Sequence, residues 1–268
     1  MFLLALPVKQ FVHKIIKMET KIPKPSEAFR SLMRADFTTQ WRNRRSVMMS
    51  LLVPLIILIS WKGLIDKFGG AFVFSISLTI GLVSIGMMGY AISVARDRDK
   101  GIFQRLRVTP MPTSFIMISR LMVQLGMIAL LTLAVFIIGY QVDKISLTPA
   151  GYVLTFITAF LGGALYLGFG QMIVGLIKNA ETVNSTTRLV YIAFIMLGMF
   201  GELGAFGVDL KNIIHWSPFG TVKTILASAM QPATWNNEAT IALVATVAYA
   251  LVFSFLGIKW FKWSSAGA

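Results

Sequence analysis

The chain has 268 residues, of which 56% are hydrophobic and 13% charged, with a formal net charge of +14; soluble domains carry roughly a quarter charged residues, so an ordinary soluble fold is excluded. Apolar runs long enough for a bilayer core recur, without the polar–apolar alternation over about ten residues that marks barrel strands, and the class is an all-α integral membrane protein. Cysteine is absent, which excludes disulfides, thiolate metal sites and iron–sulfur clusters, and the isolated His13 and His215 make no metal site alone.

Residues 1–25 begin apolar and turn basic at Lys9, Lys14 and Lys17. This is the reverse of a cleavable signal peptide, and the segment reads as a cytoplasmic extension in which Met18 is an alternative start. In residues 26–45, Phe29, Leu32, Met33, Phe37 and Trp41 recur at spacings of three and four, placing them on one helical stripe with Arg30, Arg34 and Arg44 largely off it. Ser26 after Pro25 is a suitable N-cap, and Glu27 complements the first turn. An amphipathic helix in the membrane interface is expected, serving either as a plain anchor or as an elbow that also touches a cytoplasmic partner.

The body of the chain, 46–258, holds six expected spans at about 46–65, 71–95, 113–140, 151–177, 189–208 and 239–258. Pro54 interrupts the first, which membrane helices tolerate when neighbours satisfy the freed backbone group. With the N-terminus inside, the cytoplasmic segments hold twenty Lys and Arg and the opposite side only five, so both termini, including the 259–268 tail, are expected in the cytoplasm. That asymmetry also accounts for the positive charge: it suits anionic inner-leaflet lipid, and the stacking aromatics of a nucleic-acid site are missing.

Between the second and third spans, "ARDRDKGIFQRLRVTPMP" is too patterned for a minimal turn. Ile102, Phe103 and Leu106 form an apolar patch among Asp97, Arg98, Asp99, Lys100, Arg105 and Arg107, and Pro110 and Pro112 stop the helix. A short amphipathic helix here could be a rigid lever between a soluble partner and the spans; a solvated basic loop is the other reading. In the fourth span, Ala164 and Gly168 stand four apart with Gly162, Gly163, Gly170 and Gly175 nearby, which allows close helix packing or lines a path. Gln124 and Gln171 are expected to bond neighbouring helices, with substrate contact as the other reading. Residues 178–188 read as a second cytoplasmic turn, with Glu181 and Arg188 available to the same partner. Glu202 either lies deep enough to need a cavity, water or a partner, or marks a helix ending near Gly201 at the outer interface.

The stretch "ARDRDKGIFQRLRVTPMPTSFIMISRLM" resembles the signature of type-2 ATP-binding-cassette (ABC) exporter permeases: an acidic–basic run at 96–100, Gly101, Leu106 with Arg107, and Thr109 with Pro110. "DRDK" departs from the Glu-Arg-Glu of many members. The resemblance extends over the elbow, the six spans and "HWSPFGTVKTIL", where Ser217 and Pro218 resemble an external Ser-Pro before a short extracytoplasmic helix between spans five and six. It implies a coupling helix at about 96–108 seated in an ATPase subunit through Asp97, Arg98, Gly101, Phe103, Leu106 and Arg107, with Glu181 nearby and the elbow (Phe29, Phe37, Trp41) in support.

It further implies a substrate path along spans two and five, with Phe74, Met87, Tyr90, Phe194, Met199 and Glu202 as candidates, between this chain and a second permease copy or paralogue in the cell membrane. Met and aromatic side chains make an adaptable apolar lining. Because the chain has no G-x-x-x-x-G-K-[ST] loop, ATP and Mg are expected on the partner ATPase; no catalytic residue, cofactor or metal is assigned to this chain. The implied activity is export of a hydrophobic or amphiphilic substrate, with a lipid-linked polysaccharide exporter or a non-transport scaffold as the alternatives.

Overall fold

A computed structural model describes residues 25–107 and 112–262, and every regular element among them is helical. The 1–24 extension, the Thr109–Pro110 pair and the tail beyond 262 lie outside the described residues.

Helix α1, Pro25–Arg42, carries Glu27 in its first turn and Arg42 in its last, each complementing the helix dipole. It meets α2, Arg44–Ser60, at an angle of 67°. Pro54 sits inside α2, whose links to the next span are polar: Ser77 donates to the Pro54 carbonyl at 2.6 Å, and the Ser50 and Ser84 hydroxyls lie 3.4 Å apart. After the short α3, Lys62–Phe68, Gly69 turns the chain at φ +85°, a conformation that favours glycine.

Helix α4, Gly70–Asp99, is the axis of the bundle: 83% of its most apolar stretch is buried. Its 30 residues extend about 45 Å at 1.5 Å each, against a hydrocarbon core of about 30 Å. The helix is thus longer than such a layer, and its charged end at residues 96–99 is the part suited to lie outside it. Residues Ile85–Ala91 form a π-helical stretch. Here α4 meets α7, Pro149–Leu176, backbone to backbone: a Cβ on Gly86 would overlap the Tyr166 carbonyl, and one on Gly170 would press on the Gly86 carbonyl. Close approach at the small residues of span four is thus what the structure uses, since Gly168 and Gly175 likewise abut the last helix.

Helix α5, Ile102–Arg107, follows Gly101 (φ +66°) and leads to α6, Thr113–Asp143, on which α1 packs. Helix α8, Ala180–Glu202, starts nine residues before the expected 189, because Asn179 caps it by accepting from the Glu181 and Thr182 amides. Polar residues 180–188 lower the hydropathy without breaking the helix, so the expected cytoplasmic turn is two helical turns instead. Helix α8 also contains a π stretch, Phe194–Met199, and packs on that of α4.

Beyond it come α9, Val208–His215; α10, Pro218–Met230; and α11, Asn237–Trp260. Two helices thus stand where one short external helix was expected. Ser217 caps α10 by accepting from the Phe219 and Gly220 amides, and α10 is packed among α4, α7 and α11. Five helices are long and apolar enough to cross a membrane, and the bent α1–α2 pair makes a sixth if counted as one span.

Candidate functional site

The basic end of the bundle is organised by one side chain. Arg98, 1% exposed, donates from Nη1 to the Val174 carbonyl at 2.7 Å and from Nη2 to those of Ile177 and Lys178 at 2.8 and 2.7 Å. These carbonyls close the C-terminal turn of α7, where intrahelical donors run out and a cation is favoured. Asp99 accepts from the Ala180 amide at 2.9 Å, tying the same connection to the start of α8. Asp97 pairs with Arg120 of α6 at 2.6 Å, and the Arg120 guanidinium stacks over the Phe103 ring, 4.9 Å from its centroid. One step further out, Ser119 donates to Asp36 of α1 at 2.6 Å. Burial pushes the Asp36 carboxyl above its ordinary value, opposed by that hydrogen bond and by Arg120.

The connection is therefore joined to α6, α7 and α8 at once, and through α6 to α1. Arg98 and Phe103 face the interior and not a partner: Phe103 is fully buried, edge-on to Phe261. The expected partner contact thus includes two side chains that the structure sets inside the bundle, a guanidinium bound to three carbonyls and a buried ring. Leu106 is half-buried against the core, and Glu181 is exposed on the first turn of α8. Gln104 and Arg105 are the exposed residues of α5. The side chain of Arg107 lies outside the described residues. Of the elbow residues, Phe29 lies edge-on to Phe115 at 5.2 Å, Phe37 covers Gly126, and Trp41 is exposed.

The substrate-path candidates divide. Phe74, packed on Gly139, Met87 and Met199 are interior, and Phe194 stands edge-on to Tyr166 and Phe169. Tyr90 donates to Gln171 at 2.8 Å, the interhelical role expected of a buried amide, while the Gln124 carbonyl oxygen is buried without a partner among the described residues.

Several clefts open between helices, and two bear on ligand binding. One, about 420 Å³, is lined by Tyr90, Gln171, Ser254 and apolar residues of α6, α7 and α11 and holds no charged side chain. The other, about 670 Å³, lies between α2, α4 and α8.

At the opposite end Glu202, 3% exposed, accepts from Lys223 of α10 at 2.7 Å. His215 lies with Nδ1 3.7 Å from Glu202 and Nε2 2.8 Å from Glu238. The helix does end at Glu202, and the carboxylate is buried against Lys223. Lys223 was missed in the sequence; its signal was a single cation inside the apolar run after Ser217-Pro218. Among the described residues no cluster of three or more His, Asp or Glu could hold a metal ion.

The described residues thus form a polytopic helical membrane protein whose second-to-third connection is bonded into the bundle. Residues 27–222, from the elbow into α10, match the ABC-2 type transporter family. The chain belongs to that family: it is a membrane permease subunit of an ABC transporter, a class that works with an ABC ATPase partner. It is also 24% identical over 226 residues, covering 80% of this chain and 89% of the relative, to the Bacillus subtilis (strain 168) protein named "Putative transport permease YvfS".

Proposed function

We propose that the chain is the permease of an exporter that moves a hydrophobic or amphiphilic substrate out of the cytoplasm or inner leaflet. Two copies, or one with a paralogue, pair in the cell membrane with both termini cytoplasmic. Separate ATPase subunits hold ATP and Mg. The open apolar faces of α2 and α8, with Leu52, Ile56 and Met196 exposed, are suited to that pairing. Closure of the ATPases would move α5 and shift the spans between inward-open and outward-open populations.

The observation that carries this reading is the set of bonds from residues 97–99 to α6, α7 and the start of α8, with Gln104 and Arg105 left exposed on α5. A displacement of α5 then reaches several spans without a flexible link. The partner contact is assigned to Gln104, Arg105, Leu106 and Glu181, with Asp97, Arg98, Gly101 and Phe103 holding the lever.

Co-purification tests this. The wild-type permease should carry down an ABC ATPase whose hydrolysis rises with substrate, and the double variant Gln104→Glu/Arg105→Glu should lose the ATPase while inserting normally. A variant complex that assembles and hydrolyses with unchanged substrate dependence would remove the coupling assignment. A chain that recruits no ATPase would be a scaffold.

A further inference from the structure

Three arginines on three helices line the 670 Å³ cleft: Arg45 of α2, Arg96 of α4 and Arg188 of α8. The helices run in different directions, yet the order of side chains from the basic end inward is the same on each. Met48 lies three residues inward of Arg45, Met88 eight inward of Arg96, and Tyr191 three inward of Arg188, and all three line the cleft. At 1.5 Å per residue these offsets are about 4.5, 12 and 4.5 Å. One end of the cleft is cationic, with Asn43, Ser46 and Asn184 near the arginines, and the remaining lining is mainly apolar.

No acidic residue lines it, and none of the three arginines is paired with an acid among the described residues. Their neighbours Arg98 and Arg120 are both committed, to carbonyls and to Asp97. A guanidinium is a flat fork of donors that matches phosphate, sulfate or carboxylate, and three unneutralised ones around one cleft favour an anionic group over a neutral or cationic one. The volume lies within the range of small-molecule sites, about 300–1,000 Å³. The 420 Å³ cleft has no cationic side chain to meet an anion.

We propose that this cleft binds an amphiphile with an anionic head group, the head among Arg45, Arg96 and Arg188 and the chain along Met48, Met88 and Tyr191. Only the step from binding to transport rests on the exporter reading.

The test uses the full chain in phosphatidylcholine nanodiscs, titrated with dodecyl phosphate, dodecyltrimethylammonium and inorganic phosphate against empty discs. Saturable binding is expected for dodecyl phosphate alone. Arg45→Ala, Arg96→Ala and Arg188→Ala should each weaken it about fivefold or more, while Arg30→Ala and Arg44→Ala leave it unchanged and Arg96→Lys retains most of it. Equal binding of the phosphate and ammonium amphiphiles, or unchanged affinity in the three alanine variants, would overturn the proposal and leave the arginines as membrane anchors.

Repeating the titration with phosphatidylglycerol in the disc separates the sources: competition assigns the site to a resident lipid, and no competition to a cargo arriving from elsewhere. If binding depends on the arginines but a co-purified ATPase does not respond to dodecyl phosphate, the site stands and the exporter reading fails for this class. Substrate-driven hydrolysis with arginine-independent binding is the reverse.

Discussion

Both ends of this membrane protein bury charge, and they do so differently. At the basic end Arg98 is surrounded by the carbonyls of Val174, Ile177 and Lys178, dipoles that belong to the backbone and cannot be exchanged by mutation. At the opposite end Glu202 is held by Lys223, with His215 and Glu238 beyond, all side chains. The first site completes a helix terminus and ties it to the end of α4. The second joins the end of α8 to α10 and could be replaced by a neutral pair of similar shape. Burying a charge does not identify its role; what surrounds it does.

The largest expected effect breaks the outer pair from one side. Lys223→Met leaves Glu202 buried without its cation and should cost about 3–5 kcal/mol of stability, read as a lowered unfolding transition of the purified protein. Arg98→Lys follows: the charge stays but the fork that reaches three carbonyls is lost, for about 2–3 kcal/mol.

The double variant Glu202→Gln/Lys223→Met then sharpens the contrast. Removing both charges should recover most of the single-variant loss, to within about 1–2 kcal/mol of the parent. Failure to recover would mean that the outer charges do more than neutralise each other. Ser217→Ala should cost about 1 kcal/mol through the α10 cap. Smallest of all, Arg105→Glu should shift stability by less than about 0.5 kcal/mol, its effect appearing instead in ATPase recruitment.

Much of this was legible before any coordinate. The stripe of Phe29, Leu32, Met33 and Phe37 read as an amphipathic helix, and α1 is one, bent from the next helix by 67°. Glycines of span four read as contact points, and Gly168 and Gly170 are at backbone distance from α11 and α4. The sequence pattern could not rank the apolar helices. Spans two and five both looked like path-lining helices, yet 83% of the apolar stretch of α4 is buried against 22% for α8. Phe74 and Met87 are core for that reason. Hydropathy records the cost of contact with water, and in a membrane a buried and a lipid-facing residue both avoid water.

The sequence by itself determined the class, the family signature at 96–110, the elbow and the charge asymmetry, because each rests on composition or on spacing within one element. Only the tertiary structure decided that Arg98 turns inward to α7, that Lys223 answers Glu202, and that Arg45, Arg96 and Arg188 share a cleft. Those residues stand 76 or more, 21, and 51 to 143 positions apart. No local periodicity links positions so distant; packing of the helices places them together.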